Sequence, residues 1–268
     1  MKGIDIYNGN NGVNLAQCKS EGVEFVILRG AFTGWGANRV KQKDACFEKF
    51  YAECKRLELP VGCYYYSCAD SAARGKEEAE FLYKNCLKGK QFEFPIYIDI
   101  EDEHWQQNKK KGVTDAICAF CDYLESLGYV VGVYSNQYWF ANNIDIERVK
   151  KYSIWLADYR AKKPKPKYAY DIWQTGYQTC AGKKLDADIC YKDFEKAIKI
   201  AGANGFHKLG DIDGDGKVTA ADARLALRAA VGKEKLNAVQ KAAADMDFDG
   251  QITADDSRTI LRKSVGKE

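Results

Sequence analysis

Between residues 1 and about 200 the chain alternates short apolar runs with amphipathic ones, and this alternation narrows the folds open to it. The apolar runs are Gly3 to Tyr7, Val23 to Ala31, Val61 to Ser67, Pro95 to Glu101, Tyr129 to Tyr134, Ser153 to Tyr159, Tyr170 to Thr175 and Ala187 to Tyr191. Runs of helical period separate several of them: Asp44 to Leu59, Ser71 to Leu87, Val113 to Leu127 and Ile146 to Lys151. Strands joined by helical crossovers pair in parallel, and a parallel strand covered on both faces is apolar throughout. Eight such strands predict a barrel-like α/β fold. The later connections are too short for a full helix each, so an irregular, partly flattened (β/α) barrel is expected.

Such folds carry their chemistry at the C-terminal ends of the strands. The run Phe94-Pro95-Ile96-Tyr97-Ile98-Asp99-Ile100-Glu101-Asp102 ends in a burst of acid. Asp99 and Glu101 are two residues apart, so their side chains leave one face of a strand with Cα atoms roughly 6.5 Å apart. Two carboxyls that close push their pKa values apart, one ionised and one holding its proton near neutral pH. Acid/base cleavage of a glycosidic bond requires that division. An isolated Asp-x-Glu more often caps a helix or meets a lysine. Here Asp5 ends the first strand and Asp186 and Asp188 flank the last, and barrel closure makes those strands neighbours. Tyr64, Tyr65, Tyr66, Trp105, Tyr134, Trp139, Trp155, Tyr159 and Trp173 fall at the same ends. Any one ring reads first as core packing. Rings and acids converging at one end suit a carbohydrate cleft.

Composition excludes several alternatives. A chain of 268 residues, 46% apolar and 13% aromatic, accommodates one large domain and a small one. A net charge of +3 does not suggest nucleic acid. No apolar run approaches the ~18 residues of a membrane span. Met1-Lys2 leads straight into Gly3-Ile4-Asp5-Ile6, which reads as a cytosolic start or, in better accord with the rest of the sequence, as a chain trimmed of its leader. Two histidines, His104 and His207, argue against Ser-His or Cys-His catalysis. The ten cysteines include a lone Cys118-x-x-Cys121 without the second pair of a zinc ribbon, and most read as small buried hydrophobes. Their spacing does not pair them into disulfides.

Several blocks occur in one order over residues 1–200: Gly3-Ile4-Asp5-Ile6, Phe25-Val26-Ile27-Leu28-Arg29, Gly62-Cys63-Tyr64-Tyr65-Tyr66-Ser67 with Glu77-Glu78-Ala79-Glu80-Phe81-Leu82, Tyr97-Ile98-Asp99-Ile100-Glu101, Gly132-Val133-Tyr134-Ser135-Asn136, Ile154-Trp155-Leu156-Ala157 and Ile172-Trp173-Gln174. Together they resemble the family 25 glycoside hydrolases, lysozymes of the muramidase type. The resemblance implies cleavage of the β-1,4 bond after N-acetylmuramic acid in peptidoglycan, with retention and without a catalytic cofactor. It places Glu101 as general acid, Asp99 as its companion carboxylate, and Asp5 and Asp188 as flanking acids. Asp188 is preferred over Asp186 because the family pattern there is an apolar residue, Asp and another apolar residue, as in Ala187-Asp188-Ile189. Tyr64, Tyr66, Tyr134, Trp155, Trp173 and Arg29 become the expected substrate contacts. The partner for retention is either a carboxylate or the sugar's 2-acetamido oxygen oriented by Asp99. The sequence departs from the family at Ile6-Tyr7-Asn8-Gly9 and at Tyr65, where a histidine is common.

From Ala201 the composition shifts. Residues 202–208 read as a short flexible linker between a catalytic domain, 1–201, and a module, 209–268. In the module Asp211-Ile212-Asp213-Gly214-Asp215-Gly216-Lys217-Val218-Thr219 recurs after 34 residues as Asp245-Met246-Asp247-Phe248-Asp249-Gly250-Gln251-Ile252-Thr253. Each copy closes with an acid at loop position twelve, Asp222 or Asp256. Acids at positions 1, 3, 5 and 12, glycine at 6 and a carbonyl at 7 form the ligand set of a calcium loop, so two Ca2+ are expected in loops 211–222 and 245–256. Thr219 and Thr253 occupy the ninth loop positions, and Lys217 and Gln251 the seventh. Closure by Asp, with no full helix before the first loop, resembles a dockerin, the small all-α calcium module that docks enzymes onto a cohesin of a scaffoldin or cell surface. That likeness places Ala220, Ala221, Leu227, Arg228, Ala254, Asp255, Leu261 and Arg262 toward cohesin.

The expected protein is therefore a secreted or surface-associated, monomeric peptidoglycan hydrolase with peptidoglycan and a cohesin as partners, binding no nucleic acid. A chitinase-like glycosidase, a non-catalytic wall-binding protein on a hydrolase fold, and a calcium module that only stabilises the enzyme are the alternatives. Residues 209–268 hold 11 acids and 10 bases and the remainder 27 acids and 31 bases, so the larger part is +4. Its tracts Lys109 to Lys111 and Lys162-Lys163-Pro164-Lys165-Pro166-Lys167 read chiefly as solvated loops, with attraction to an anionic wall as the second reading.

Overall fold

A computed structural model of the chain describes residues 1–160 and 162–267, which form two compact units dividing between Asp193 and Phe194. In the first unit the strands are β1 (Lys2–Ile6), β2 (Phe25–Thr33), β3 (Lys41–Lys43), β4 (Val61–Tyr66), β5 (Ile96–Asp99), β6 (Val131–Asn136), β7 (Ser153–Ala157), β8 (Ile172–Cys180) and β9 (Lys183–Cys190). They form one sheet ordered β1-β9-β8-β7-β6-β5-β4-β2-β3, and the pairing of β1 with β2 closes the first eight of these into a barrel. The short polar β3 is appended antiparallel to β2.

From β1 through β8 the barrel strands pair in parallel, whereas β9 runs antiparallel to both β8 and β1. The reversal is a two-residue hairpin at Ala181 and Gly182, with φ of 49° and 71°. The crossovers carry helices α1 (Leu15–Ser20), α2 (Phe47–Arg56), α3 (Ala72–Leu82), α4 (Lys110–Ser126), α5 (Gln137–Asn142) and α6 (Ile146–Val149). The described residues between β7 and β8 form no helix, which accounts for the irregular shape expected from the short late connections.

Alternation along the strands builds two layers. Val26 and Leu28 of β2, Cys63 and Tyr65 of β4, Ile96 and Ile98 of β5, and Val131 and Val133 of β6 join the core shared with the helices. Against them pack Phe47 and Phe50 of α2, Leu82 of α3, and Ile117, Phe120 and Leu124 of α4. The intervening residues Tyr64, Tyr97 and Tyr134 gather around Trp155, with ring centroids 6.0, 5.3 and 4.6 Å from it. Glycine is required beside this cluster: a Cβ at Gly132 would lie 2.2 Å from the Tyr97 ring. Nine cysteines are buried and Cys118 is half-buried, and all ten are free thiols.

The second unit comprises α7 (Phe194–Ala201), α8 (Ala220–Ala230), α9 (Ala238–Ala244) and α10 (Ala254–Ser264). Ile212, Ala223, Ala226, Leu236, Ala244 and Ile260 form its small core. The boundary falls eight residues before the expected end of the first domain at 201. Residues 202–208, expected as a linker, instead fold back on α7: Gly202 N donates to Lys199 O, Ala203 N to Ile198 O, and Asn204 is fully buried. Small polar residues signal turns as readily as linkers, and here they close a helix.

Candidate active site and metal-binding loops

Five acids converge at one end of the barrel. Asp5 lies near the end of β1, Asp99 ends β5, and Glu101 stands two residues beyond it. The antiparallel β9 sets Asp186 opposite Asp5 and Asp188 opposite Gly3. A cleft of about 400 Å³ opens over them, lined by Asp5, Asp99, Glu101 and Asp186 together with Arg29, Gln174 and a set of aromatic rings. Asp188 sits behind this wall and is 2% exposed. Its Oδ1 accepts from Trp155 Nε1 at 2.8 Å, while its Oδ2 is buried with no hydrogen-bond partner among the described residues.

The electrostatics stem from burial. Asp5 is held well above the ordinary carboxylate range, first by loss of water and then by Asp188 and Asp186. Asp188 is pushed up to about 8, chiefly by burial. Asp99 is likewise raised well, by burial and then by Glu101, and Glu101 is raised by burial, Asp186 and Asp102. The Asp99–Glu101 pair thus keeps a proton to higher pH than either carboxyl would in water. Asp99 Oδ1 is buried with no hydrogen-bond partner among the described residues. A buried acceptor left unmatched costs about 1–3 kcal/mol, so this oxygen is poised for a donor arriving in the cleft.

Of the expected substrate contacts, Tyr64, Tyr66, Tyr134, Trp155 and Arg29 line the cleft. Trp173 does not. It is one residue out of phase with Gln174 on β8 and gives its Nε1 to Asp158 O at 2.7 Å. Tyr65 faces the outer core, as strand parity requires, and Trp139 is buried there too. Arg29 donates to Asp44 Oδ2 and Asn8 Oδ1 at 2.9 and 2.7 Å, with its guanidinium against the Tyr7 and Phe32 rings. Asp44 also accepts the Asn8 and Cys46 amides, so one buried carboxylate fixes Arg29 and the turn after β1 together.

Sequence reasoning missed Gln174, Tyr7, Trp35 and Tyr177 as cleft residues and ranked Asp186 behind Asp188. Gln174 is the most consequential. Its Nε2 donates to Asp5 Oδ2, and its Oε1 accepts the hydroxyls of Tyr134 and Tyr159. Its place in the block Ile172-Trp173-Gln174 is the available signal. Asp186, between Leu185 and Ala187, has apolar neighbours just as Asp188 does, and it is the one that reaches the cleft surface.

In the second unit Asp211, Asp213 and Asp215 bring carboxylate oxygens within 4.8 Å of one another, as do Asp245, Asp247 and Asp249. Each set faces a sharp turn at Gly216 or Gly250, with φ of 86° and 81°. Hard oxygen donors in this number suit a hard divalent cation. The position-twelve acids stand apart from these clusters. Asp222 accepts from the Ile212, Asp213 and Thr219 amides, and Asp256 from those of Met246 and Thr253. Thr219 and Thr253 cap α8 and α10 through Ala221 N and Asp255 N. Lys217 and Gln251 donate their amides to Asp215 and Asp249. Ala220, Ala221, Leu227, Arg228, Ala254, Asp255, Leu261 and Arg262 are all exposed.

An α/β barrel with buried paired carboxyls under an aromatic cleft at its strand ends is the apparatus of a glycoside hydrolase. The family model of glycosyl hydrolases family 25 matches residues 4–181, and the chain belongs to that family. Residues 209–263 match the dockerin type I domain. An autolytic lysozyme of Clostridium acetobutylicum is 28% identical over 203 residues, 75% of this chain and 58% of the lysozyme. This chain therefore spans little more than half the length of that relative. The CTP1L endolysin has a similar fold, with a TM-score of 0.63 at 23% identity over 74% of this chain and 69% of that one. A family 25 glycosyl hydrolase from Bacillus anthracis gives 0.61 at 21% identity over 73% and 92%.

Proposed function

We propose that the protein is a secreted or surface-associated, monomeric peptidoglycan hydrolase. It cleaves the β-1,4 bond between N-acetylmuramic acid and N-acetylglucosamine with retention, and it is tethered through its calcium module to a cohesin. The observation that carries the catalytic reading is the Asp99–Glu101 pair, with raised proton affinity, on the floor of a cleft lined by Tyr64, Tyr134 and Trp155.

In this reading protonated Glu101 donates to the leaving oxygen as positive charge develops at the muramic anomeric carbon. Asp99 Oδ1, which lacks a donor among the described residues, accepts the substrate's acetamide N–H and turns the acetamide oxygen toward that carbon. The oxygen forms a bond to the carbon as the glycosidic bond breaks. Water, deprotonated by Glu101, then opens the cyclic intermediate with net retention. Asp5 and Asp188, both with raised proton affinity, hold the far wall, and aromatic faces stack against the sugars. Loops 211–222 and 245–256 would each hold one Ca2+, with Asp211, Asp213 and Asp215 or Asp245, Asp247 and Asp249 as ligands and the carbonyls of Lys217 and Gln251 alongside. Asp222 and Asp256 close the loops. Leu227 and Leu261, each with an exposed valine one turn later, Val231 or Val265, form two equivalent apolar stripes for cohesin.

Mass spectrometry of digested peptidoglycan tests the specificity. Fragments ending in reducing muramic acid are expected; fragments ending in reducing glucosamine contradict it. Calcium-dependent capture by a cohesin panel tests the docking, and absence of capture by every member contradicts it.

A further inference from the structure

Two basic tracts more than fifty residues apart in sequence meet at one groove of the first unit. Lys110 opens α4, and Lys165 and Lys167 belong to the segment between β7 and β8; all three line a groove of about 630 Å³. Their neighbours behave differently: Lys109 pairs with Asp70 and Lys111 with Asp115. Among the described residues of the lining Asp145 is the sole acid, and its carboxylate is engaged by Glu147 N. The groove therefore carries a positive rim over an apolar floor that includes Phe140, Ile144 and Tyr168.

Tyr168, one of the lining residues, carries a polar group that the protein leaves unmatched. Its hydroxyl is buried with no hydrogen-bond partner among the described residues, while its ring packs on Phe140 at 5.3 Å. Such a hydroxyl is costly unless something that enters the groove satisfies it.

The groove and the catalytic cleft flank a common neighbour. A smaller cavity of about 380 Å³ shares Glu101, Tyr134 and Tyr159 with the cleft, and Gln137 and Arg160 with the groove. Arg160 is fixed at the junction by Asp158 and by Gln137 Oε1 at 2.7 Å. A substituent on a sugar at Glu101 has a lined path outward, past Arg160 and between the lysines.

We propose that this groove binds the short acidic peptide borne by the muramic sugar, so that the enzyme selects peptide-bearing glycan over bare glycan. The proposal rests on the peptidoglycan reading above. A peptide of alanine-sized side chains and carboxylates matches an apolar floor, a lysine rim and an unmatched hydroxyl together. A phosphodiester polymer would use the rim alone.

The full-length protein is titrated with a synthetic acidic stem tetrapeptide, free of sugar, and binding is read by calorimetry or by NMR shifts. The titration is repeated with the charge-reversed Lys110→Glu/Lys165→Glu/Lys167→Glu and with Tyr168→Phe. Binding is expected in the wild type and weaker by about tenfold or more on reversal, the sum of three modest rim pairs. No binding at millimolar peptide, or equal binding by the reversed variant, overturns the proposal, as does binding of a phosphodiester polymer in place of the peptide. Cleavage of peptide-bearing against amidase-stripped strands gives the second readout, and the reversed variant is expected to lose the wild-type preference. Peptide binding without cleavage of either strand would fault the hydrolase reading and leave the groove assignment standing.

Discussion

Gln174 gives its side-chain amide to Asp5 Oδ2 at 2.8 Å while its carbonyl oxygen receives Tyr134 and Tyr159 at 2.8 and 2.7 Å. One neutral side chain thereby joins the far acid of the cleft to two of its rings. It supplies Asp5 with a donor in a site otherwise crowded with acceptors.

Replacing Gln174 by Leu keeps the bulk and removes all three bonds. Loss of buried hydrogen bonds to a carboxyl costs on the order of 1.5–3 kcal/mol, which corresponds to about tenfold to a hundredfold in rate if felt in the transition state. The expected outcome is a lower kcat with a modest fall in Tm, checked by steady-state hydrolysis and thermal melts. Unchanged kcat would show that the network only supports the wall.

The Asp5–Asp188 pair makes stability depend on pH. Asp188 rises from 3.8 to about 8 on folding, so the folded state holds a proton that the unfolded chain releases. Its contribution is full below the unfolded value and is lost as pH rises through the folded value. Wild-type Tm is therefore expected to fall between pH 5 and pH 9. Asp188→Asn still accepts from Trp155 but has no proton to release, so its Tm should vary less over that range. Parallel melting curves check this.

How much of the fold and site is legible in the sequence depends on whether a residue's role is local. Asp5, Asp99 and Glu101 announce themselves because they end apolar runs, and barrel closure brings them together. Asp186 reaches the cleft only because β9 runs backwards after the Ala181–Gly182 hairpin and is shifted by the bulge at Gly176, where φ is 126°. Trp173 and Gln174 differ by one step of strand parity, and the ring is the more conspicuous of the two although the amide lines the cleft. The β3 strand, Lys-Gln-Lys, has no apolar signal because it pairs at an edge. The calcium loops are readable because their ligands lie within a dozen residues. The basic groove is not, because Lys110 and Lys165 meet only in the folded barrel.

Calcium removal should divide the molecule. The two clusters of three aspartates repel within themselves when no cation is bound, and a unit with so small a core is expected to draw folding free energy from metal. In calorimetry, EDTA is expected to abolish or shift downward one transition and leave the barrel's in place. Glycan cleavage should persist under the same conditions. Loss of both transitions together would contradict the independence of the two units.

The central claim is that Glu101 is the proton donor of a glycosidase, and its most direct test compares the wild type with Glu101→Gln on purified peptidoglycan. Gln preserves size and the polar head while removing the proton. Reducing ends released per enzyme are expected to fall by at least about a hundredfold, within the range for loss of general acid catalysis, with the fold unchanged by circular dichroism. Release at the wild-type rate by a correctly folded Glu101→Gln would contradict the account.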